Sequence, residues 1–359
     1  MKLLYLYDQM PKVYQTYMAA LLKELKKEID VKVLSYDEDK EADYNITSYG
    51  LKDKLQRLAS KTSLSKSNSL DIKIMNEYDV VHLQHSYLYP KLFPFFKEHI
   101  KKPKIVITLR GGDTYVKPWV SEKWKMFYKI NSKYIDTFIT VSRHQKEYLQ
   151  KWGVSEEQIH VIPVSFGNKT NAKPKFPSDG KIRIVSAHRM CWEKNIEGNL
   201  RVIKTLIEKG YSVQYDVYGD GPDKGQLLYL IDKYNLEKEV NYLGKVENEV
   251  FKKRLANYDF FLQLSHSEAF GASVIEAPSM GIPAIISNNG VLPETIIPNK
   301  SGYCVDSWNV EEAVIRIVEL HGEGDKYFQF SKKAIENSNS KFTTKDEVNS
   351  LLKLYSSLT

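Results

Sequence analysis

The sequence contains few cysteines, no long apolar run and no motif with the spacing of a metal site. Cys191 and Cys304 are its two cysteines, too few for a disulfide framework, and neither lies in a Cys/His cluster. The apolar run at residues 3–7 is shorter than a signal-peptide core, and no later run approaches the roughly 18 residues of a membrane span. We therefore expect a cytoplasmic protein with reduced thiols.

The chain carries a net charge of +7 at pH 7, which suits nucleic acid, an anionic membrane surface or a phosphorylated ligand. It has no zinc-finger spacing, no aromatic RNA-binding motif and no basic region with heptads, so we do not expect nucleic acid as a partner. Residues 52–66 interleave lysine and arginine with leucine. Two interpretations of this segment stay open: peripheral contact with an anionic membrane, or a solvated helix face.

Short β-rich runs alternate with helical patterns along the whole chain. The runs are nearly continuous in apolar residues, as strands buried on both faces of a parallel sheet require. In the first half we expect strands at 3–7, 31–34, 80–83, 105–109, 138–141 and 161–164. In the second half we expect strands at 182–186, 213–218, 240–243, 260–264 and 284–287. Each half therefore predicts a doubly wound α/β domain.

A polar stretch with prolines, residues 168–180, separates the two halves. Its composition is typical of a linker between domains. We therefore assign residues 1–167 to a first domain and residues 168–341 to a second. Ligands of such domains bind at the carboxyl ends of the strands, so two facing domains predict a binding cleft.

Residues 265–283 predict a strand, a glycine-containing loop and a helix. A helix beginning near Gly271 or Ala272 would direct free N–H groups at a ligand, which suits a diphosphate. Glu268 lies in the loop and Glu276 about one turn inside the helix, so both can reach that ligand. Carboxylates accept hydrogen bonds and suit the vicinal hydroxyls of a ribose or a hexose. Taken singly, each glutamate would instead be an ordinary loop or first-turn charge.

A second cluster, residues 186–195, follows the first strand of the second domain. Arg189 and Lys194 in this cluster would hold a diphosphate and stabilise it as a leaving group. Two basic residues five apart are also common in surface loops. Their position after a strand is what favours the functional role.

These residues resemble the large family of retaining glycosyltransferases called family 4, or glycosyl transferases group 1, whose signature is Glu-x7-Glu. Glu268 and Glu276 have that spacing, and Arg189 and Lys194 match the family's basic pair. The resemblance continues at the glycine-rich turn 218–222, the strand 240–244 and the segment 293–295. It implies the α/β GT-B fold, in which two Rossmann-like domains face each other across a cleft.

The resemblance also implies the role of each site residue. Glu276 would bind the ribose hydroxyls of the donor nucleotide and Glu268 the transferred sugar. Arg189 and Lys194 would bind the diphosphate. Further positions in the nucleotide site would be Phe270, Gly271, Ala272, Gly219 and Val246. A C-terminal helix, about 342–359, would cross back and pack on the first domain.

The first domain would bind the acceptor. Residues 108–113 resemble the family segment in which a histidine precedes Gly-x-Asp, but Arg110 stands where that histidine would be. Either Arg110 replaces the histidine electrostatically, or its work passes to His82 or His85, although a histidine at a strand end is more often structural. We take Arg110 and His85 as catalytic candidates. The loop at 8–12 lacks the paired glycines of many relatives.

The implied reaction moves a sugar from a nucleoside-diphosphate sugar, UDP favoured over GDP, to a hydroxyl of a glycan or lipid-linked acceptor in cell-surface polysaccharide synthesis. We expect no metal or other cofactor, because the matching loop has no Asp-x-Asp pair; residues 37–39 are interpreted as a solvated acidic turn. Alternatives are a sugar-nucleotide epimerase and a non-catalytic sugar-nucleotide-binding partner subunit, which Arg110 keeps open. A NAD-dependent oxidoreductase fits less well, since no Gly-x-Gly-x-x-Gly follows the first strand of either domain.

Overall fold

Our computed structural model describes residues 1–8, 17–48, 50–61, 69–96 and 102–359, with the backbone alone at 56, 57 and 59–61. The chain forms two compact units: unit 1 is Met1–Pro163 with Thr344–Thr359, and unit 2 is Val164–Thr343. These limits lie a few residues from those drawn on the sequence. Gly167 and Thr343 form a parallel β-bridge that brings the two ends of unit 2 together.

The described part of unit 1 contains one parallel sheet. Its strands are β1 (Lys2–Tyr7), β2 (Asp30–Ser35), β3 (Tyr44–Asn45), β4 (Val80–Leu83), β5 (Lys104–Thr108), β6 (Thr137–Thr140) and β7 (Ile159–Val161). They pair in the order β3-β2-β1-β4-β5-β6-β7. The winding reverses between β1 and β4, which makes this the switch point of a doubly wound sheet.

Helices in unit 1 present apolar faces to that sheet, as the four buried side chains of α1 show at helical spacing. The α-helices that precede unit 2 are α1 (Tyr17–Glu28), α2 (Leu51–Lys61), α3 (Leu70–Met75), α4 (Gly112–Tyr115), α5 (Lys117–Val120), α6 (Glu122–Met126) and α7 (Arg143–Lys151). A 3₁₀ helix, Ser86–Phe95, follows β4, and a π-helical turn, Phe127–Asn131, follows α6.

Unit 2 contains a second parallel sheet. Its strands are β8 (Lys181–Ala187), β9 (Ser212–Tyr218), β10 (Val240–Gly244), β11 (Phe260–Gln263), β12 (Ala284–Ser287) and β13 (Gly302–Val305). They pair in the order β10-β9-β8-β11-β12-β13. The switch point of this sheet therefore lies between β8 and β11.

The helices of unit 2 connect these strands and cover both faces of the sheet. They are α8 (Ile196–Glu208), α9 (Lys224–Lys233), α10 (Asn248–Leu255), α11 (Ser273–Ser279), α12 (Leu292–Thr295), α13 (Val310–Gly322) and α14 (Gly324–Lys341). The side chains of these strands pack into two separate apolar clusters. Strands buried in this way on both faces need nearly continuous apolar sequences, as observed.

The chain ends in α15 (Thr344–Leu358), which belongs to unit 1 and packs against α1. Leu351, Leu354 and Tyr355 of this helix are buried in the same apolar cluster as Met18. The Tyr355 hydroxyl also forms a 3.0 Å hydrogen bond with the Tyr5 hydroxyl in β1. The last helix is thus part of the core of unit 1.

The α/β fold class predicted from the sequence is confirmed, with corrections to individual elements. The run at 161–164 is wrong as a strand, since β7 is Ile159–Val161 and Pro163 has no N–H to pair. Asp39 does not belong to a solvated turn, because it is 4% exposed and its N–H donates to Asn45 Oδ1 at 2.9 Å. Residues 9–12 of the first loop and 62–66 of the basic segment lie outside the described residues.

None of the described helices is both long enough and apolar enough to cross a bilayer.

Candidate functional site

The carboxyl ends of β8 and β11 bring together two predicted site residues that are 74 positions apart in the sequence. Lys194 follows β8, Glu268 follows β11, and the Lys194 ammonium group forms an ion pair with Glu268 Oε2. The two side chains are 12% and 8% exposed. A shielded pair of opposite charges therefore occupies the switch point of unit 2, where ligands of doubly wound sheets bind.

Gln263, at the end of β11, fixes the carboxylate of this pair. Its Nε2 donates to Glu268 Oε2 at 2.7 Å and to Ser265 Oγ at 3.1 Å. Gln263 is fully buried, and its Oε1 has no hydrogen-bond partner among the described residues. Sequence reasoning missed this residue, although a glutamine within an apolar strand was a usable signal.

The loop between Glu268 and α11 is shaped by Gly271. This residue has φ +70°, and a Cβ there would lie 3.2 Å from Glu268 Cδ, so a side chain would crowd the carboxylate. The N–H groups of Gly271 and Ala272 donate to no acceptor in the described structure. Phe270, next to them, is 9% exposed, and its backbone nitrogen lies 3.5 Å from Glu268 Oε1. The loop thus offers two backbone donors beside a fixed carboxylate.

Glu276 lies in the first turn of α11 and is 6% exposed. It accepts a 2.6 Å hydrogen bond from Asn248 Nδ2, at the start of α10, through Oε1. Burial raises the pKa of its carboxyl group. Oε2 has no hydrogen-bond partner among the described residues, so a buried carboxylate has one oxygen left for a ligand. Sequence reasoning missed Asn248, because α10 is distant in the sequence.

Gly219 and Gly221 bring the end of β9 against the segment after β8. A Cβ on Gly219, which has φ +119°, would lie 1.9 Å from the carbonyl oxygen of His188. A Cβ on Gly221 would lie 2.2 Å from the Met190 carbonyl oxygen. The glycine-rich turn is therefore required for close backbone packing beside the switch point.

His188 adds a neutral imidazole at the same edge. Burial and the nearby Lys194 charge lower its pKa to about 4. Its Nδ1 lies 3.1 Å from the Arg189 carbonyl oxygen and must donate to it, which leaves Nε2 as an acceptor. At neutral pH His188 therefore contributes hydrogen bonding without charge.

The remaining predicted residues of unit 2 are less constrained. The Arg189 side chain is exposed and has no hydrogen bond or ion pair among the described residues, so it is available to a ligand. Val246, in the loop from β10 to α10, is half-buried against an apolar cluster two residues before Asn248.

In unit 1, Arg110 follows β5 and contacts the segment after β4. It donates to the Gln84 carbonyl oxygen at 3.3 Å and to Gln84 Oε1 at 3.0 Å. Asp113 holds the turn, since its carboxylate accepts from the N–H groups of Arg110 and Gly111 and from Ser86 Oγ. The arginine in place of the family histidine is therefore tied to one backbone and one side-chain oxygen.

His82 is part of the core of unit 1. It is 1% exposed, with Nδ1 2.7 Å from the Tyr355 hydroxyl and Nε2 2.7 Å from Thr108 Oγ1. His85 is only partly buried, and burial together with Arg110 lowers its pKa to about 4. Of the two histidines considered from the sequence, His85 is the one with accessible surface, and its ring is neutral at pH 7.

Comparisons with known proteins agree with this architecture. The family model described as Glycosyltransferase Family 4 matches residues 14–164, and the model described as Glycosyl transferases group 1 matches residues 168–337. The chain belongs to the family-4 glycosyltransferases, a class of transferase enzymes with the GT-B fold. The family, fold and enzyme class expected from the Glu-x7-Glu phrase are thereby confirmed.

Individual relatives are distant. An uncharacterized 41.2 kDa protein in the cps region of Klebsiella pneumoniae is 28% identical over 82% of this chain and 84% of its own length. A poly(ribitol-phosphate) alpha-N-acetylglucosaminyltransferase of Staphylococcus aureus is 25% identical over 75% of this chain, which spans 53% of that relative. The crystal structure of Anabaena HepE in complex with UDP and glucose has a TM-score of 0.78 at 16% identity, over 99% of this chain and 100% of that chain. This last likeness shows the fold.

Proposed function

We propose that this protein transfers a sugar from a UDP-sugar to a hydroxyl group of a glycan or lipid-linked acceptor, with retention at the anomeric carbon. The observation that carries the proposal is the pair of buried carboxylates in unit 2, with Glu268 paired to Lys194 and Glu276 held by Asn248. The reaction would serve cell-surface polysaccharide synthesis. Because the donor is a cytoplasmic metabolite, we place the protein in the cytoplasm, at the inner face of the membrane.

Each carboxylate suits a different part of the donor. Glu276 would accept hydrogen bonds from the ribose hydroxyls through Oε2, which has no partner among the described residues. Glu268 would accept a hydroxyl of the transferred sugar, its position set by Gln263. The free N–H groups of Gly271 and Ala272 would donate to the diphosphate.

The transfer step needs charge stabilisation more than a protein nucleophile. The bond between the anomeric carbon and the diphosphate oxygen breaks, and the electron pair stays on the departing UDP. Lys194 and Arg189 would stabilise that charge, and the phosphate oxygen would take the proton of the acceptor hydroxyl as the new glycosidic bond forms. Attack on the face that UDP leaves gives retention.

Unit 1 would bind the acceptor. Arg110 provides a fixed positive charge near half-buried His85, whose pKa of about 4 makes it a neutral hydrogen-bonding group. Both are proposed to position the acceptor hydroxyl and the reacting sugar. The Arg110 charge takes the electrostatic role of the family histidine.

The relatives support these choices without identifying the substrates. The Anabaena structure contains UDP and glucose, which favours UDP as the nucleotide. The Staphylococcus relative is named for alpha transfer of N-acetylglucosamine to a poly(ribitol-phosphate), which favours a polymeric acceptor and an α-linked product.

Slow hydrolysis of the donor tests the proposal without knowledge of the acceptor. The full chain is incubated with α-linked UDP-glucose, UDP-galactose, UDP-N-acetylglucosamine and UDP-N-acetylgalactosamine, and the first free sugar is followed by proton NMR. We expect one donor to release the α-anomer first, and Lys194→Met to abolish release. Release of the β-anomer first contradicts retention. Binding of UDP with no hydrolysis or transfer from any donor would favour the partner-subunit alternative.

A further inference from the structure

Gln84 lies directly after β4 and contacts Arg110 through both of its oxygen atoms. Arg110 Nε donates to the Gln84 carbonyl oxygen at 3.3 Å, and Arg110 Nη2 donates to Gln84 Oε1 at 3.0 Å. Gln84 itself is 1% exposed. The first bond holds the guanidinium group at Nε, and the second prevents its rotation about the Cζ–Nε bond. One buried residue therefore sets the direction of the Arg110 donors.

The side-chain amide of Gln84 has one orientation that suits its neighbours. Arginine has donors and no acceptors, so the amide oxygen must face Arg110. The amide nitrogen, which can only donate, then lies 3.1 Å from His82 Nδ1. His82 must therefore accept a hydrogen bond at Nδ1.

This requirement selects the tautomer of His82. Burial, and to a smaller extent the Arg110 charge, lowers the pKa of His82 well below its ordinary value, so the ring is neutral. A neutral imidazole that accepts at Nδ1 carries its proton on Nε2. Nε2 lies 2.7 Å from Thr108 Oγ1, which therefore accepts that hydrogen bond.

Tyr355 of α15 supplies a second donor to the same imidazole nitrogen. Its hydroxyl oxygen lies 2.7 Å from His82 Nδ1 and 3.0 Å from the Tyr5 hydroxyl oxygen. When Tyr355 donates to Nδ1, Tyr5 donates to Tyr355. The imidazole is thus held from both sides, by Thr108 at the end of β5 and by the last helix of the chain.

The structure also leaves space beside the guanidinium group. A cavity bordered by residues of β4, β5, α1 and α15 adjoins both Arg110 and Gln84. Without the bond to Gln84 Oε1, the guanidinium group has room to turn. Close packing alone therefore does not determine its orientation.

We propose that Gln84 is the positioning residue of Arg110, and that the tautomer of His82 holds the Gln84 amide in the required orientation. The inference rests on the proposed function, in which Arg110 positions the acceptor hydroxyl and the reacting sugar. Because Gln84 is buried, it acts through Arg110. A displacement of about 1 Å in a group that meets the reacting atoms is enough to slow a reaction strongly, so this orientation matters for the rate.

Side-chain NMR of the full chain tests the contact without any substrate. The quantity measured is the rate at which the Arg110 guanidinium group rotates about its Cζ–Nε bond, with the signals assigned by Arg110→Lys. In Gln84→Met this rate should rise about tenfold or more, because the bond to Oε1 is lost while the backbone bond remains.

Gln145→Met is the matched control for the loss of a buried glutamine. Gln145 is fully buried in unit 1, but it bonds to the Val141 N–H and to Thr114 Oγ1 instead of Arg110. Its replacement should leave the rotation rate of Arg110 unchanged. Thermal unfolding of both variants shows how much stability each substitution removes.

Donor hydrolysis by the same variants tests whether the contact serves the reaction. In Gln84→Met we expect kcat to fall about tenfold with little change in KM for the donor, because the charge of Arg110 stays and its alignment is lost. In an Arg110→Met background, Gln84→Met should have no further effect on kcat. A residue that only stabilises unit 1 would lower kcat by the same factor in both backgrounds.

Thr108→Val tests the part played by His82. Valine keeps the shape of threonine but cannot accept from Nε2, so the proton moves to Nδ1 and the Gln84 amide must turn. The rotation rate of Arg110 should then rise as in Gln84→Met. Thr140→Val, in the neighbouring strand β6, removes a buried hydroxyl with no partner among the described residues and should not change the rate.

Three results would overturn the proposal. An unchanged rotation rate in Gln84→Met would show that the amide does not hold Arg110. Equal losses of kcat with and without Arg110 would make Gln84 a structural residue. A parent-like rate in Thr108→Val would show that the His82 tautomer does not orient the amide. Restricted rotation in a parent that hydrolyses no donor would support the contact and contradict the proposed function.

Discussion

Lys194 and Glu268 neutralise each other at the carboxyl edge of unit 2, although both side chains are largely withdrawn from water. In the proposed reaction the lysine binds the diphosphate and the glutamate binds the sugar. The donor must therefore enter between two groups that already satisfy each other. Its negative diphosphate can take over the lysine charge while a sugar hydroxyl takes over the carboxylate.

Separating the two partners should be costly for stability as well as activity. Lys194→Met leaves Glu268 charged and shielded, and loss of one partner of a buried pair costs about 3–5 kcal/mol. The double variant Lys194→Met with Glu268→Gln removes both charges and should recover most of that loss in urea unfolding. Donor hydrolysis should stay absent in both.

The surface pair of Lys252 and Glu249 provides the matched control, since Glu249 is 80% exposed. Lys252→Met should cost less than about 1 kcal/mol. A double variant at the switch point that is no more stable than Lys194→Met would show that the two charges do not stabilise each other.

Gln263→Leu should reduce activity without reducing stability. Leucine removes the hydrogen bond to Glu268, but it also removes a buried Oε1 that has no partner among the described residues. We expect kcat for donor hydrolysis to fall about tenfold or more with little change in KM, because the carboxylate loses its alignment and not its charge. Steady-state kinetics and thermal unfolding measure the two effects.

Ser265→Ala is the control for Gln263. It removes the other acceptor of the same amide and leaves the bond to Glu268 in place. Parent-like kcat in Gln263→Leu, or an equal loss in Ser265→Ala, would contradict a positioning role for the glutamine.

Glu276→Gln should stabilise the protein in the absence of nucleotide. Burial raises the pKa of Glu276 in the folded state, so the ionised form lowers stability at neutral pH. That loss is relieved as pH falls through the folded-state pKa, because the folded protein then binds the proton more tightly than the unfolded chain. The glutamine keeps the Asn248 contact and cannot ionise.

The gain from Glu276→Gln should therefore be full at neutral pH and should vanish below the ordinary pKa of glutamate. Urea unfolding at several pH values measures it. A gain that grows on acidification would have the wrong sign for a carboxyl group with a raised pKa.

Gly219→Ala and Gly225→Ala should have opposite effects. The added Cβ at Gly219 would lie 1.9 Å from a backbone oxygen, whereas nothing lies within 4 Å of a Cβ at Gly225 in α9. We expect Gly219→Ala to lower the free energy of unfolding by more than about 2 kcal/mol. Gly225→Ala should be neutral or raise it by up to about 1 kcal/mol. Equal unfolding midpoints would show that the turn can move away from His188.

The sequence predicts the strands well where apolar residues run without interruption. The runs at 80–83 and 284–287 coincide with β4 and β12, because strands buried on both faces need unbroken apolar runs. β13 was missed, since Gly302 and Cys304 give it a weak pattern and its stability comes from pairing with β12. β7 was misplaced by two residues for the same reason, as it contains His160.

The site was predictable only in its sequence-local part. Glu268 and Glu276 lie in one loop and the helix that follows it, so the Glu-x7-Glu motif alone is sufficient to identify them. Their partners Gln263 and Asn248 act through contacts between elements, which no local pattern records. The structural role of His82 likewise depends on its hydrogen bond with Tyr355, a residue more than half the chain away in the sequence.

The central claim is that unit 2 binds a nucleoside-diphosphate sugar through Glu276. The most direct test measures thermal stabilisation of the full chain by UDP, GDP and ADP and by their sugars, for the parent, Glu276→Gln and the exposed control Glu249→Gln. We expect stabilisation by UDP and one UDP-sugar, unchanged in Glu249→Gln. In Glu276→Gln the apparent affinity should fall about tenfold or more, since a buried ribose contact is lost. Stabilisation by no nucleotide, or equal stabilisation of all three proteins, would contradict the account.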